Sequence, residues 1–273
     1  MSPYRLAAID LDETILTFDG RISDRNRRAV HDLDAAGILP VIASGRMHQA
    51  TTRFADALGL PGPIISYNGA MLRHRATGDI WHHLTVPPEP AAEIVRFCTE
   101  NRFHLNYYCD DRLYVAARGH WAEFYVRHTG SPMEAIGDLT TLAGTSPTKM
   151  ILIDTPETAD RLFRQMSERY GGTLYITRTN PEYLEFMHPN ANKGEALRIL
   201  AARLGVARDD VLAFGDGSND APMMEWAGFS VAMGSAKEAV KRIASWVAPP
   251  FEEDGFAEAV EGILSGRIGR PRE

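Results

Sequence analysis

The chain has 273 residues, of which 44% are hydrophobic and 24% are charged, and this balance excludes disordered, collagen-like and coiled-coil proteins. Its 29 lysine and arginine residues stand against 36 aspartate and glutamate residues, giving a formal net charge of −7, so a protein that binds nucleic acid through its bulk charge is not expected. A chain of this length favours two hydrophobic cores over one.

The first part of the chain alternates buried apolar runs with helical periodicity. Residues 6–10 predict a buried strand, and Ser23 is a candidate N-cap for the helix that follows. A strand at 38–43, a helix at 47–58 and a strand at 63–67 come next. The order βαβαβ predicts a parallel sheet with right-handed crossovers.

The pattern changes between residues 84 and 187. Candidate antiparallel strands at 103–109 and 113–117 are joined by a short polar turn, which is typical of an α+β unit. Further helices are predicted at 91–101, 121–128 and 158–170, and further strands at 149–153, 174–177 and 183–186. Proline-rich residues 86–90 and residues 188–190 are candidate hinges on either side of this insert.

The alternation of helices and strands returns after the insert. It predicts helices at 193–204, 221–227, 236–245 and 256–264, and strands at 211–214, 229–233 and 246–248. The expected fold is therefore α/β, with a parallel-sheet core whose helices cover both faces. Residues 1–83 and 188–273 form this core, and residues 84–187 form an inserted α+β domain.

The cysteine content and the apolar runs bear on the compartment. Cys98 and Cys109 are the two cysteines, too few for a disulfide framework or a thiolate metal site, and reduced, buried thiols are expected. The sequence starts without a basic leader and an apolar run, and no stretch approaches the about 18 apolar residues that a membrane span needs. We expect a cytoplasmic protein without a membrane partner.

Polar residues follow three predicted strands at their carboxyl ends, where open parallel sheets bind ligands. The segments are Asp10-Leu11-Asp12-Glu13-Thr14, Ser44-Gly45-Arg46 and Gly215-Asp216-Gly217-Ser218-Asn219-Asp220. Clustered carboxylates repel one another unless a cation neutralises them, and an all-oxygen site suits Mg²⁺ rather than zinc or copper. Each aspartate alone is equally compatible with a helix cap, but the three segments together favour the metal site.

Lys193 stands at the start of a predicted helix, directly after the second hinge. A cation at this end of a helix opposes the helix dipole. Together with the helix N-terminus it is suited to hold an anion, of which phosphate is the obvious candidate. A surface lysine is the alternative.

The four segments together resemble, in order and spacing, the four motifs of the haloacid-dehalogenase-like (HAD) superfamily of phosphatases. They read Asp10-x-Asp12-x-Thr14, Ser44-Gly45-Arg46, Lys193 and Gly215-Asp216-x-x-Asn219-Asp220. The insert resembles the α/β cap of the Cof-type sugar-phosphatase subfamily, and segments 66–70, 220–224 and 253–257 add to this likeness. The resemblance implies a Rossmann-like core and a cap domain that selects the substrate.

The resemblance also assigns roles to the motif residues. It implies that Asp10 is the nucleophile, which forms an aspartyl-phosphate, and that Asp12 is first a general acid and then a general base. It implies that Mg²⁺ binds the carboxylates of Asp10 and Asp216 and the backbone carbonyl of Asp12, with support from Asp220. The phosphate-binding residues would be Ser44, Gly45, Lys193 and Asn219, and the supporting residues would be Thr14 and Arg46.

The function expected from this resemblance is Mg²⁺-dependent hydrolysis of a small phosphorylated metabolite, with sugar phosphates as the first candidates. One departure concerns Glu13, which stands where the Cof-type pattern usually has glycine. Two alternatives stay open: a HAD-type phosphomutase, and a regulator that binds Mg²⁺ and phosphate with little catalysis, which Glu13 motivates. The pattern predicts no oligomeric state.

Overall fold

The structure is a computed structural model, which describes residues 3–17 and 19–269. The strands are β1 (Leu6–Ile9), β2 (Leu39–Ile42), β3 (Pro63–Ser66), β4 (Met71–His74), β5 (Ile80–His83), β6 (His104–Cys109), β7 (Arg112–Val115), β8 (Glu134–Ala135), β9 (Lys149–Ile153), β10 (Tyr175–Thr177), β11 (Tyr183–Met187), β12 (Val211–Gly215), β13 (Phe229–Ala232) and β14 (Trp246–Val247). The helices are α1 (Asp24–Ala35), α2 (His48–Ala57), α3 (Pro88–Asn101), α4 (His120–Thr129), α5 (Pro156–Tyr170), α6 (Lys193–Leu204), α7 (Ala221–Trp226), α8 (Glu238–Lys241) and α9 (Gly255–Leu264).

The chain divides into two compact units. The first comprises the residues up to Arg46, Thr51–His82 and the residues from Asn192 onward, and the second comprises Met47–Ala50 and His83–Ala191. Within the described ranges, no helix has both the length and the apolar character that a membrane span requires. Cys98 and Cys109 are buried and free.

A parallel sheet forms the centre of the first unit. Its strand order is β14-β13-β12-β1-β2, and every neighbouring pair is parallel. All residues of β1 are buried, as expected for a parallel strand that is covered on both faces. Ala7 and Ile9 pack on one face with α1 and α9, and Leu6 and Ala8 pack on the other with α6 and α7. The predicted α/β core with helices on both faces is confirmed.

The pairing predicted for the third strand is only partly correct. β3 forms a separate antiparallel sheet with β4 and β5, and a single parallel bridge between Ala43 and Ile65 links it to the chain after β2. Tyr67 and Asn68 adopt φ values of 51° and 53°, so the chain reverses directly after β3 and β4 pairs back onto it. A second correction concerns the helix predicted at 236–245, of which only the single turn α8 forms.

The second unit contains a six-stranded sheet in the order β10-β11-β9-β6-β7-β8. Its pairs are antiparallel except for the short parallel pair of β7 and β8. Leu105, Met150 and Phe186 point to one face, where they pack against Ile94 of α3 and Leu162 of α5. This arrangement confirms the predicted α+β insert.

The opposite face of this sheet holds a buried ion pair. Lys149 Nζ lies 2.6 Å from an oxygen of Glu185, and the two side chains are only 7% and 2% exposed. Charged side chains are seldom buried to this extent unless they are paired. The pair is therefore a structural element of the second unit.

Candidate active site

Three aspartates meet at one edge of the parallel sheet in the first unit. Asp10 follows β1, Asp216 follows β12, and Asp220 directly precedes α7. One carboxylate oxygen from each lies within 4.8 Å of the others. Because β1 and β12 are adjacent and parallel, their carboxyl ends coincide, and this topology brings together residues that are far apart in the sequence.

The ammonium group of Lys193 joins two of these carboxylates. Its Nζ lies 2.6 Å from Asp10 Oδ1 and 2.5 Å from Asp220 Oδ1, and the Lys193 side chain is 0% exposed. Asn192 places the lysine by capping α6, since its side chain accepts a hydrogen bond from the backbone N–H of Glu195. The alternative of a surface lysine is therefore wrong.

The aspartate cluster carries more negative than positive charge. Burial and the nearby charge of Asp220 raise the pKa of Asp10, against the opposing effect of Lys193. Burial, Asp220 and Glu13 raise the pKa of Asp216 to about 7. Burial alone lowers the pKa of Lys193, but the charges of Asp10 and Asp220 raise it above its ordinary value. One ammonium group against three carboxylates leaves an excess negative charge that a divalent cation would neutralise.

The donor set fits Mg²⁺ because it consists of carboxylate oxygens. Both oxygens of Asp220 already have partners: Oδ1 accepts from Lys193, and Oδ2 accepts from the backbone N–H groups of Asp216 and Gly217 at 3.1 and 2.9 Å. Asp10 and Asp216 are thus better placed as direct ligands, with Asp220 orienting the loop that carries Asp216. Thr14 Oγ1 donates to Asp216 Oδ1 at 3.4 Å.

Hydrogen bonds hold the segment that follows β2. Ser44 is fully buried, its N–H donates to the carbonyl of Ile65 at 2.9 Å, and its Oγ accepts the backbone N–H of Arg46 at 3.2 Å. A Cβ atom on Gly45 would lie 2.6 Å from Asn68 Oδ1, so glycine permits the close approach of Asn68.

Asn68 is a site residue that sequence reasoning did not assign. Its Oδ1 accepts a 3.0 Å hydrogen bond from Nδ2 of Asn219, and it is 2% exposed. Its left-handed backbone, with φ of 53°, is a conformation that asparagine tolerates better than most residues. The signal in the sequence is the segment 66–70, which adds to the family resemblance but does not by itself assign a role to Asn68.

The carboxylate of Asp12 lies outside the aspartate cluster and pairs with Arg46. Arg46 Nε donates to Oδ2 at 2.9 Å, and Nη2 donates to Oδ1 at 2.5 Å. Glu13 is exposed and has a φ of 54°. The structure therefore joins Asp10, Asp216, Asp220, Lys193 and Thr14 in one largely buried group, and Asp12 and Arg46 in a more exposed pair.

Comparisons with known proteins identify the family of this chain. The family model described as haloacid dehalogenase-like hydrolase matches residues 7–260. The chain is 28% identical over 269 residues to the 5-amino-6-(5-phospho-D-ribitylamino)uracil phosphatase YitU of Bacillus subtilis, covering 96% of this chain and 98% of that protein. It matches the structure of TM0651 from Thermotoga maritima with a TM-score of 0.87 and 32% identity over 98% of each chain. The HAD subclass IIB sugar phosphatase BT4131 shares the fold, with a TM-score of 0.82 and 22% identity over 97% of this chain and 100% of that chain.

Proposed function

This chain belongs to the haloacid dehalogenase-like hydrolase family, in its Cof-type branch, and on that premise we propose that it is a Mg²⁺-dependent phosphatase of small phosphomonoesters. The observation that carries the proposal is the buried contact of Asp10 with Lys193 beside two further carboxylates. A carboxylate that is buried and paired with a lysine at a sheet edge is suited to nucleophilic attack on phosphorus.

Asp10 is the proposed nucleophile. A bond forms between its carboxylate oxygen and phosphorus while the bond from phosphorus to the ester oxygen breaks, and the leaving oxygen receives a proton from Asp12. In the second half-reaction Asp12 accepts a proton from water, the water oxygen bonds to phosphorus, and the bond from phosphorus to Asp10 breaks. Inorganic phosphate leaves, and Asp12 holds the proton for the next leaving group.

Lys193, Ser44, Gly45 and Asn219 are the proposed phosphate-binding residues. Lys193 Nζ already contacts the nucleophilic carboxylate, so its charge lies next to the position that the transferred phosphoryl group must occupy. Ser44 Oγ accepts the backbone N–H of Arg46, which leaves its hydroxyl proton to donate elsewhere. Asn219 is oriented by Asn68. Positioning and charge neutralisation are the main demands of phosphoryl transfer.

The proposed metal ligands are the carboxylates of Asp10 and Asp216 and the backbone carbonyl of Asp12, with Asp220 in support and Thr14 bound to Asp216. Bound Mg²⁺ supplies positive charge that offsets the negative charge of the carboxylates and the phosphoryl oxygens.

Sugar phosphates are the proposed substrate class. YitU acts, by its name, on a phosphoribityl compound, and BT4131 is named a sugar phosphatase; in both cases the phosphate is carried by a polyhydroxylated chain or ring. We assign residues 1–83 and 188–273 as the catalytic core and residues 84–187 as the cap that selects the leaving group. A cytoplasmic location is part of the same proposal.

The test is hydrolysis of p-nitrophenyl phosphate, followed by a panel of sugar phosphates, with Mg²⁺ and with EDTA. Wild type should release phosphate only with Mg²⁺. Asp10→Asn, which keeps the shape of the side chain, should lose activity by at least about a thousandfold and keep its circular dichroism spectrum. Asp24→Asn, at an exposed position of α1, is the control and should match wild type.

Other outcomes separate the alternatives. Activity of Asp10→Asn above a few per cent of wild type would mean that another residue is the nucleophile. Transfer of phosphate between two positions of one sugar, without release, would identify a phosphomutase. Binding of Mg²⁺ and phosphate without any turnover would identify a regulator.

A further inference from the structure

Arg46 and Asp12 form an ion pair through two parallel hydrogen bonds. Arg46 Nε bonds to Asp12 Oδ2 and Nη2 bonds to Oδ1, at 2.9 and 2.5 Å. A pair of this geometry fixes the rotation of the carboxylate as well as its position. The Asp12 side chain is 53% exposed, so an aspartate without such a partner would sample several rotamers here.

Contacts fix both the backbone and the guanidinium group of Arg46. Its backbone N–H donates to Ser44 Oγ at 3.2 Å, and its carbonyl accepts the N–H of Tyr67 at 2.9 Å. Its guanidinium lies 5.2 Å from the centroid of the Phe54 ring, a cation–π contact. Only 20% of the side chain is exposed. The arginine can therefore impose an orientation on Asp12 instead of following it.

The pair leaves acceptor positions open on the Asp12 carboxylate. Each carboxylate oxygen has two lone pairs, and Arg46 occupies one on each oxygen, so one acceptor position remains on each. The open position on either oxygen can meet the O–H of a water molecule. The geometry thus fits the base role of Asp12, in which it accepts a proton from water.

We propose that Arg46 is a positioning residue for the second half-reaction, in which Asp12 takes the proton of the water that cleaves the aspartyl-phosphate. This inference rests on the proposed function. The water proton passes to a carboxylate oxygen of Asp12, the bond from water oxygen to phosphorus forms, and the bond from phosphorus to Asp10 breaks. Arg46 neither gives nor takes a proton; it holds Asp12 in the orientation in which this transfer occurs.

An aryl phosphate separates the two half-reactions. Nitrophenolate is a good leaving group that needs no protonation, so formation of the aspartyl-phosphate from p-nitrophenyl phosphate does not depend on the acid role of Asp12. Its hydrolysis still depends on the base role, which typically contributes 10²- to 10⁴-fold in rate. Rapid-quench measurement of nitrophenolate and of acid-trapped phosphoenzyme therefore reports each step separately.

Arg46→Lys keeps the positive charge and loses the two-point bond. We expect its first-turnover burst of nitrophenolate to stay within about threefold of wild type, while steady-state kcat falls by about tenfold or more and phosphoenzyme accumulates. Asp12→Asn should show the same pattern. The Arg46→Lys/Asp12→Asn double variant should be no slower than Asp12→Asn alone, because the arginine acts through the aspartate.

The matched control is Arg25→Lys. Arg25 makes the same two-point contact with Glu261, at 3.0 and 2.9 Å, on the surface of the first unit, and its loss should change neither rate. A burst and a steady state that fall together in Arg46→Lys, a rise in KM alone, or unchanged kinetics would each overturn the proposal. Absence of turnover in wild type would instead count against the proposed function.

Discussion

Asn68 Oδ1 accepts a 3.0 Å hydrogen bond from Nδ2 of Asn219, although 151 positions separate the two residues in the sequence. This bond ties the turn after β3 to the loop after β12. The absence of a side chain on Gly45 makes room for it, because a Cβ atom there would lie 2.6 Å from the accepting oxygen and 3.4 Å from Asn68 Nδ2.

Gly45→Ala should break this link. A methyl group at 2.6 Å from Asn68 Oδ1 forces Asn68 to move, and Asn219 then loses the partner that orients it. Misplacement of a binding group by about 1 Å can cost about 10²-fold in rate, so we expect phosphatase kcat/KM to fall by at least about tenfold. Gly119→Ala is the control, since a Cβ atom at that position would meet no heavy atom within 4 Å. Wild-type kinetics in Gly45→Ala would show that the Asn68–Asn219 bond is dispensable.

Glu13 provides a test of backbone strain separate from charge. It adopts a φ of 54°, a left-handed conformation that costs a non-glycine residue about 1–2 kcal/mol, part of which glycine loses again in unfolded-chain entropy. Glu13→Gly should therefore raise the free energy of unfolding by up to about 1 kcal/mol, whereas Glu13→Gln, which keeps the left-handed backbone and removes only the repulsion between Glu13 and Asp216, should raise it by less. Urea denaturation measures both.

Glu13→Gly also tests the alternative of a regulator. We expect the reaction type to be unchanged in Glu13→Gly, because the side chain is exposed and lies outside the group around Asp10. Phosphatase activity that appeared only in Glu13→Gly, with an inert wild type, would show that the regulator alternative is correct.

The strain prediction has its own contrary outcome. Equal free energies of unfolding of wild type and Glu13→Gly would argue against backbone strain at this position.

Lys193→Met should be destabilised in a way that Mg²⁺ corrects. The side chain is 0% exposed and neutralises Asp10 and Asp220, and removal of one partner from a buried ion pair costs about 3–5 kcal/mol. A cation bound by the same carboxylates would replace part of the lost charge. We therefore expect Mg²⁺ to raise the Tm of Lys193→Met more than that of wild type, as measured by thermal melts in EDTA and in Mg²⁺.

Lys149→Met is the matched control for this experiment. Lys149 is also a buried lysine in an ion pair, at 2.6 Å from Glu185, but its partner belongs to the second unit and not to the aspartate cluster. Its loss should lower Tm by an amount that Mg²⁺ does not change beyond the wild-type effect. An equal response of the two variants to Mg²⁺ would contradict a metal site at Asp10 and Asp216.

The aspartate cluster could be predicted because two local signals determine it. Apolar runs at β1 and β12 identify buried parallel strands, and Asp10 and Asp216 follow them directly. Parallel strands share one carboxyl edge, so the meeting of these residues needs only the assumption that β1 and β12 belong to one sheet. The α+β insert could be predicted as well, because its strand at 149–153 and its flanking helices have strong hydrophobic periodicity.

Other features depend on contacts between residues that are far apart in the sequence, and no local pattern predicts them. The burial of Lys193 against Asp10 follows from the way in which α6 packs beside β1, which no local pattern encodes. The role of Asn68 arises from two consecutive left-handed residues and from the small size of Gly45. β3 was correctly identified as a strand, but its apolar residues do not determine its partners. It meets the chain after β2 in one parallel bridge and pairs mainly with β4.

His104 should make the stability of the second unit depend on pH. Burial lowers the pKa of His104 below its ordinary value of 6.5, and the hydrogen bond with Asn106 opposes this shift only in part. The unfolded chain therefore binds a proton more readily than the folded chain does. The contribution of His104 is fully present above pH 6.5 and is lost as the pH falls through the lower pKa of the folded state.

We expect His104→Gln to flatten this dependence. Glutamine does not titrate in this range, and its Nε2 can replace the ring Nε2 that lies 2.8 Å from Asn106 Oδ1. The free energy of unfolding, measured with urea at pH 7.5 and pH 5.5, should fall less in His104→Gln than in wild type. His31→Gln, at an exposed position of α1, should fall as much as wild type. A slope in His104→Gln as steep as that of wild type would mean that other groups, and not the burial of His104, cause the acid sensitivity of this unit.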